Sequence, residues 1–211
     1  MDEKERMIEH QLKGRDITDE KVLEAMRKVD RKTFVPEDMK RHAYEDTPLP
    51  IGKDQTISQP YIVAYMAQAL EIKENEKVLE VGSGCGYNAA VLAQLASHVC
   101  SVEIIEWLAD LAKKNLEAEG TKNVSVRFGD GYKGWPEHAP FDKIILTAAT
   151  PEISKPLKEQ LNVGGKILGP VSNAYQKLIL LEKTGDDKFT EHDMLHVRFV
   201  PMTGEARSQK F

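Results

Sequence analysis

The sequence predicts an α/β fold, a mostly parallel sheet with helices on both faces, with a helical extension before it and an antiparallel hairpin after it. Three observations predict it. From Lys77 onward short apolar runs alternate with longer amphipathic segments, the first run passes directly into a glycine-rich turn, and two late apolar runs flank the polar stretch TGDDKF.

In chain order, the segment TDEKVLEAMRKV from Thr18 carries acidic residues in a first turn and Val22, Leu23, Met26 and Val29 at helical spacing, so it reads as a capped amphipathic helix. A shorter helix is expected around residues 7–12. Residues 47–60, TPLPIGKDQTISQP, hold three prolines and a glycine and read as an ordered loop, of a length that is usually functional. Pro60 suits a first helical position, and YIVAYMAQALEI carries the apolar face of the helix that follows. The strands expected next are KVLEV, VCSVE, VSVRF, FDKIILTA and GKILGPV, with helices near 88–96, 105–119 and 152–161. Gly164 and Gly165 mark a turn before the fifth strand, and KLILLEK and MLHVRFVPM form the closing hairpin. No linker or repeat divides the chain, so one domain over 1–211 is expected: helices and loop over 1–76, a ligand-binding core over 77–171, and the last strands over 172–211.

Charge and composition exclude several classes. A net charge of −5 with dispersed Lys and Arg leaves no footprint for nucleic acid. No apolar run approaches the roughly 20 residues that span a bilayer. The charged opening MDEKERMIEHQLKG does not read as a secretory signal, and a cytoplasmic monomer without a membrane partner is expected. Cys85 and Cys100 are too far apart for a redox or zinc pair, and His192 and His196 lie in a run that alternates like a strand, so no metal is expected. Trp107 and Trp135 are expected to pack rather than to stack on a ligand.

The chemistry starts at VLEVGSGCGY, where a buried strand meets Gly82, Gly84 and Gly86 ahead of a helix. Glycines there permit positive φ, and the helix start offers free N–H groups to an anionic ligand. A dinucleotide fingerprint would need its third glycine at position 87, which is Tyr87, and no P-loop Lys-Ser/Thr pair is in frame. Gly-x-Gly-x-Gly preceded by Glu80 instead resembles the first motif of class I methyltransferases, which use S-adenosyl-L-methionine. Glu103 ends the second strand about 20 residues beyond the first glycine, where a carboxylate can accept from both ribose hydroxyls. Asp130 and Gly131 follow the third strand, where the carboxylate can accept from an adenine amino group and the glycine lets the ring approach. Ser58, beside the helix that starts at Pro60, reads from its chemistry alone as a helix cap.

The chain resembles the protein-L-isoaspartate (D-aspartate) O-methyltransferase family along nearly its whole length. PIGKDQTISQP at 50–60 is the most specific mark, joined by VLEVGSGCGYNAAVLA, HVCSVE, GDGYKGW, APFDKIILTAA and VRFVPMTG in the same order and spacing. The resemblance implies a class I, Rossmann-like methyltransferase with Ser58 in the active site. It implies that Gln55, Thr56, Ile57 and Ser58 border the cofactor, that Gly82, Ser83, Gly84, Glu103, Ile104, Asp130 and Gly131 contact it, and that Thr203 is a late contact. The implied substrates are isoaspartyl sites, and D-aspartyl sites, in damaged proteins. Cys85 departs from the small residue usual there, and the tail after Gly204 matches poorly. The cofactor loop says little about the acceptor, so a class I enzyme acting on a small molecule or RNA is the alternative, although TAATPE after the fourth strand lacks a motif for it.

Overall fold

The computed structural model describes residues 1–172 and 175–208. The chain opens with α1 (Glu3–Arg6), runs on into a π-helical stretch, Met7–Lys13, and reaches α2 (Glu20–Lys28). Asp19 caps α2, its carboxylate accepting from the N–H groups of Lys21 at 2.8 Å and Val22 at 3.4 Å. Val22, Leu23 and Met26 are buried, as their spacing requires.

Residues 47–60 hold more than a loop. β1 (Leu49–Gly52) and β2 (Gln55–Ile57) pair antiparallel, with Lys53 and Asp54 both at positive φ, 55° and 56°, in the turn between them. Leu49 and Ile51 are buried while Pro50 and Gly52 are exposed, a two-residue period that the prolines conceal. Pro50 is tolerated because this ribbon has two strands and therefore only edges. α3 (Pro60–Leu70) starts at Pro60 as expected.

The main sheet has seven strands in the order β5-β4-β3-β6-β7-β8-β9. β3 (Lys77–Val81), β4 (His98–Glu103), β5 (Val124–Phe128), β6 (Phe141–Leu146) and β7 (Leu161–Ser172) run parallel. Between them come α4 (Tyr87–Ala93), α5 (Glu106–Glu119) and α6 (Lys155–Glu159). β8 (Gln176–Gly185) and β9 (Lys188–His196) add the antiparallel edge. The chain leaves β3 toward β4 and β5, then returns to the other side of β3 with β6. That reversal opens a crevice at the carboxyl ends of the strands.

Three expectations need correction. The helix expected over 152–161 shrinks to α6, because Ser154 caps it and Pro156 stands at its start. Gly164 and Gly165 do not precede β7 but bulge within it: Phe141 pairs with Leu161 and Lys143 with Lys166, so the excess residues loop out, with Gly164 at φ 82°. β9 begins well before Met194 and ends at His196, its mostly exposed residues carried into the sheet by backbone pairing with β8.

The two faces of the sheet are covered unequally. Val78, Val99, Ile145 and Leu168 pack into one core with α2, α3, α4 and the π-helical stretch, whereas Leu79, Cys100, Ile144 and Ile167 face a smaller core closed by α6 and the tail. After β9 the chain crosses back, Met202 N–H donating to Ala149 O at 2.6 Å and Ala149 N–H to Val200 O at 2.8 Å. The described part ends in a 3₁₀ turn, Gly204–Ser208.

Candidate active site

At the switch point the strand ends form one cleft. Its lining includes every candidate drawn from the sequence: Gln55, Thr56, Ile57 and Ser58 from the hairpin side, Gly82, Ser83 and Gly84 after β3, Glu103 and Ile104 after β4, Asp130 and Gly131 after β5, and Thr203 from the returning tail.

Internal hydrogen bonds hold this wall in place. Glu103 accepts from Gly84 N–H at 2.8 Å through Oε2 and from Ile105 N–H at 3.0 Å through Oε1, so the acid ties the glycine loop to the next turn while each oxygen retains a lone pair. Gly82 N–H donates to Val102 O and Gly86 N–H to Ser83 O, both at 2.8 Å. The three glycine N–H groups are therefore already engaged, two with β4 and one within the loop. Gly82 has φ 99°, and a Cβ there would collide with the Thr147 hydroxyl, which itself donates to Gly82 O at 2.6 Å.

Glu80 does not line the cleft. It is fully buried, accepting from Asn88 Nδ2 at 2.7 Å and from the Ser101 hydroxyl, which in turn shares a 2.5 Å hydrogen bond with Ser83 Oγ. Burial pushes its carboxyl up to about 7, against these two hydrogen bonds that pull it down. Burial also pushes the Cys85 thiol up to about 12, so the residue that departs from the family pattern is a neutral filler.

Asp130 accepts from Tyr132 N–H at 3.0 Å through Oδ1 and from Glu205 N–H at 2.9 Å through Oδ2. The poorly matching tail is thus docked on the site. Gly131 is also required by packing, since a Cβ there would collide with Val81 at the end of β3.

A second groove opens beside the first and shares Thr56, Ser58, Thr147 and Val200 with it. Arg15 and Arg198 line it, and among the described residues no carboxylate does. Arg15 lies 3.2 Å over the Tyr61 ring and pairs with Asp46 at 3.1 Å. Ser58 does not cap α3: Gln59 is the cap position, and Asp46 Oδ1 accepts from Tyr61 N–H at 3.0 Å instead. Among the described residues the Ser58 hydroxyl has no hydrogen-bond partner.

Sequence reasoning missed Thr147, Ala148 and the run Val200, Pro201, Met202, all of which line the cleft. The end of a fourth parallel strand was a signal for the first two. Nothing local marks the last three, which arrive only because the tail crosses back. Trp107, expected to be packed away, is half exposed above Gly52, with Lys53 Nζ 5.7 Å from its ring. Trp135 does pack, between Arg127 and His138.

A doubly wound sheet with a glycine loop after its first parallel strand, an acid ending the second and an Asp-Gly turn after the third defines a class I S-adenosyl-L-methionine-dependent methyltransferase. A model of the protein-L-isoaspartate (D-aspartate) O-methyltransferase family matches residues 2–207. The protein-L-isoaspartate O-methyltransferase of Opitutus terrae is 52% identical over 204 residues, 96% of this chain and 88% of that protein. Its counterpart numbered 2 in Pelobacter propionicus is 51% identical over 203 residues, 95% of this chain and 90% of the other. A solved structure of a protein-L-isoaspartate O-methyltransferase superposes with a TM-score of 0.89 at 30% identity, covering 96% of this chain and 67% of that one. A Plasmodium falciparum structure described as a beta-aspartate methyltransferase in complex with S-adenosyl-L-homocysteine shares the fold, with a TM-score of 0.85 at 24% identity over 96% of this chain and 99% of that one. The chain belongs to the protein-L-isoaspartate (D-aspartate) O-methyltransferase family. It is a repair methyltransferase that esterifies the isoaspartyl carboxylate of damaged proteins.

Proposed function

We propose that the cleft at the ends of β3, β4 and β5 holds the cofactor, that the adjoining groove receives the isoaspartyl segment, and that Ser58 orients the acceptor carboxylate where the two meet. S-adenosyl-L-methionine supplies a methyl group already activated by its sulfonium. In this reading Glu103 accepts from the ribose hydroxyls on the lone pairs its backbone bonds leave free, Asp130 accepts from the adenine amino group, and Gln55, Thr56 and Ile57 border the cofactor. Gly82, Ser83, Gly84, Ile104, Gly131 and Thr203 shape the walls.

The single observation that carries this is the unpartnered Ser58 hydroxyl at the junction of the two cavities. A carboxylate of ordinary pKa near ~4 is ionised at neutral pH, so the acceptor needs no base. What it needs is alignment of oxygen with methyl carbon, which can contribute roughly 7–11 kcal/mol in favourable cases. Ser58 donates a hydrogen bond to one carboxylate oxygen and leaves the other to attack. The carbon–sulfur bond breaks as the carbon–oxygen bond forms, and the electron pair stays on sulfur. Arg198 gives the acceptor groove a cation in a chain of net charge −5, with Arg15, already paired with Asp46, beside it, which suits an anionic acceptor.

The enzyme acts as a monomer in the cytoplasm in this reading. The two buried thiols are free, as suits a reducing compartment. Among the described residues no helix is long and apolar enough to cross a membrane.

The test pairs an isoaspartyl peptide with its normal aspartyl twin under labelled cofactor. Label is expected in the first only. Equal labelling of both would remove the assignment of acceptor to this groove.

A further inference from the structure

We propose that Arg31 is a positioning residue for methyl transfer, fixing the backbone of Ser58 from inside the core so that the Ser58 hydroxyl faces the junction of the two cavities. This rests on the role given to Ser58 above. Arg31 opens the 3₁₀ turn Arg31–Phe34 and is completely buried. Its guanidinium donates to Ala43 O at 2.5 Å, Thr47 O at 3.2 Å and Ser58 O at 3.0 Å. Its Nε has no partner, and no carboxylate lies within ion-pair distance among the described residues.

That arrangement is costly. An apolar side chain of similar length would fill the same space without burying an uncompensated charge. The three carbonyls explain what the charge secures, because they belong to three separate stretches: the end of the 3₁₀ turn Glu37–His42, the entry to the β1–β2 hairpin, and the residue ahead of the α3 cap. One rigid planar fork spans all three, which no flexible ammonium does. Asp46 holds the other side of Ser58, accepting from Gln59 Nε2 at 3.2 Å and from Tyr61 N–H. Ser58 therefore lies between two anchors, one on its own carbonyl and one on the next turn. The guanidinium also stands 5.8 Å over the ring of Tyr87, the residue that follows the glycine loop and lines the cofactor cleft. Arg31 thus touches the supports of both cavities without entering either lining.

Steady-state kinetics on an isoaspartyl peptide, with calorimetric binding of S-adenosylhomocysteine, test this on the full chain. Arg31→Met should lower kcat by about 10²-fold, the scale of an ångström-sized misplacement. Arg31→Lys, which keeps a charge and fewer donors, should recover part of this and fall by about 10-fold. Product affinity should stay within about twofold in both. If Arg31→Met does not fold, the Lys variant decides. The discriminating measurement is the double variant: in a Ser58→Ala background, Arg31→Lys should cost less than about twofold in kcat, because the group it positions is gone. A full 10-fold cost there, an undiminished kcat in Arg31→Lys, or a parallel loss of kcat and product affinity each overturns the proposal. Loss of kcat in Ser58→Ala alone would leave the acceptor reading standing, whereas an inert Ser58→Ala would remove both.

Discussion

The two walls of the proposed active site, one for cofactor and one for acceptor, are built in opposite ways. On the cofactor side the polar groups are already engaged with their own wall: Glu103 holds Gly84 and Ile105, Asp130 holds Tyr132 and Glu205, and Ser83 is chained through Ser101 to Glu80. On the acceptor side the hydroxyl of Ser58 and the guanidinium of Arg198 have no partner among the described residues. The first wall is preorganised and should bind a fixed small molecule without rearranging. The second leaves its donors open, as suits an acceptor that arrives on many different proteins.

Breaking the cofactor wall should give the largest effect. Glu103→Ala removes the carboxylate proposed to accept from two ribose hydroxyls and releases two backbone donors, so affinity for S-adenosylhomocysteine should fall by about 10³-fold. Calorimetry checks this, and peptide KM at saturating cofactor should hardly move.

Next comes the buried end of the same wall. Folding favours protonated Glu80, so its contribution is complete below the ordinary glutamate range and is lost as pH rises through about 7. The loss is on the order of 3 kcal/mol. Urea unfolding at about pH 5 and about pH 8 should show it, and Glu80→Gln should flatten the slope while the Ser101 and Ser83 hydroxyls rotate to match. An unchanged slope in that variant would place the proton elsewhere.

Smaller effects belong to the acceptor wall. Ser58→Ala should lower kcat by about 10²-fold, the scale of a hydrogen bond to a charged acceptor, with product affinity unmoved. If affinity falls as well, the division between the walls is wrong. Asp46→Ala should lower stability by about 1 kcal/mol through loss of the α3 cap, visible as a reduced Tm.

Legibility followed the same division. The cofactor wall rises from strands such as KVLEV and HVCSVE, whose mostly apolar runs can be read without neighbours, and its acids stand where parallel topology must put them. The acceptor wall is made of pieces whose meaning depends on distant partners. β1 and β2 are short, contain Pro50, and turn on Lys53 and Asp54 without the glycine that announces such a turn. β9 is mostly exposed, so no hydrophobic period marks it, and only its pairing with β8 makes it a strand. Arg31 lies in a polar stretch, RKTF, where an arginine reads as surface, and its burial follows from carbonyls 12, 16 and 27 residues away.

The docked tail has a last consequence, for the enzyme's own ageing. An aspartate turns into its isomer when the next backbone nitrogen reaches its side-chain carbon and closes a five-membered ring, and a glycine neighbour hinders this least. The chain contains one Asp-Gly pair, Asp130–Gly131, and no Asn-Gly pair. In that pair the side chain is clamped from two directions, by Tyr132 N–H and Glu205 N–H, while Gly131 is wedged against Val81. The weakest spot for spontaneous isomerisation is thus immobilised in the chain whose task is to reverse that damage in others.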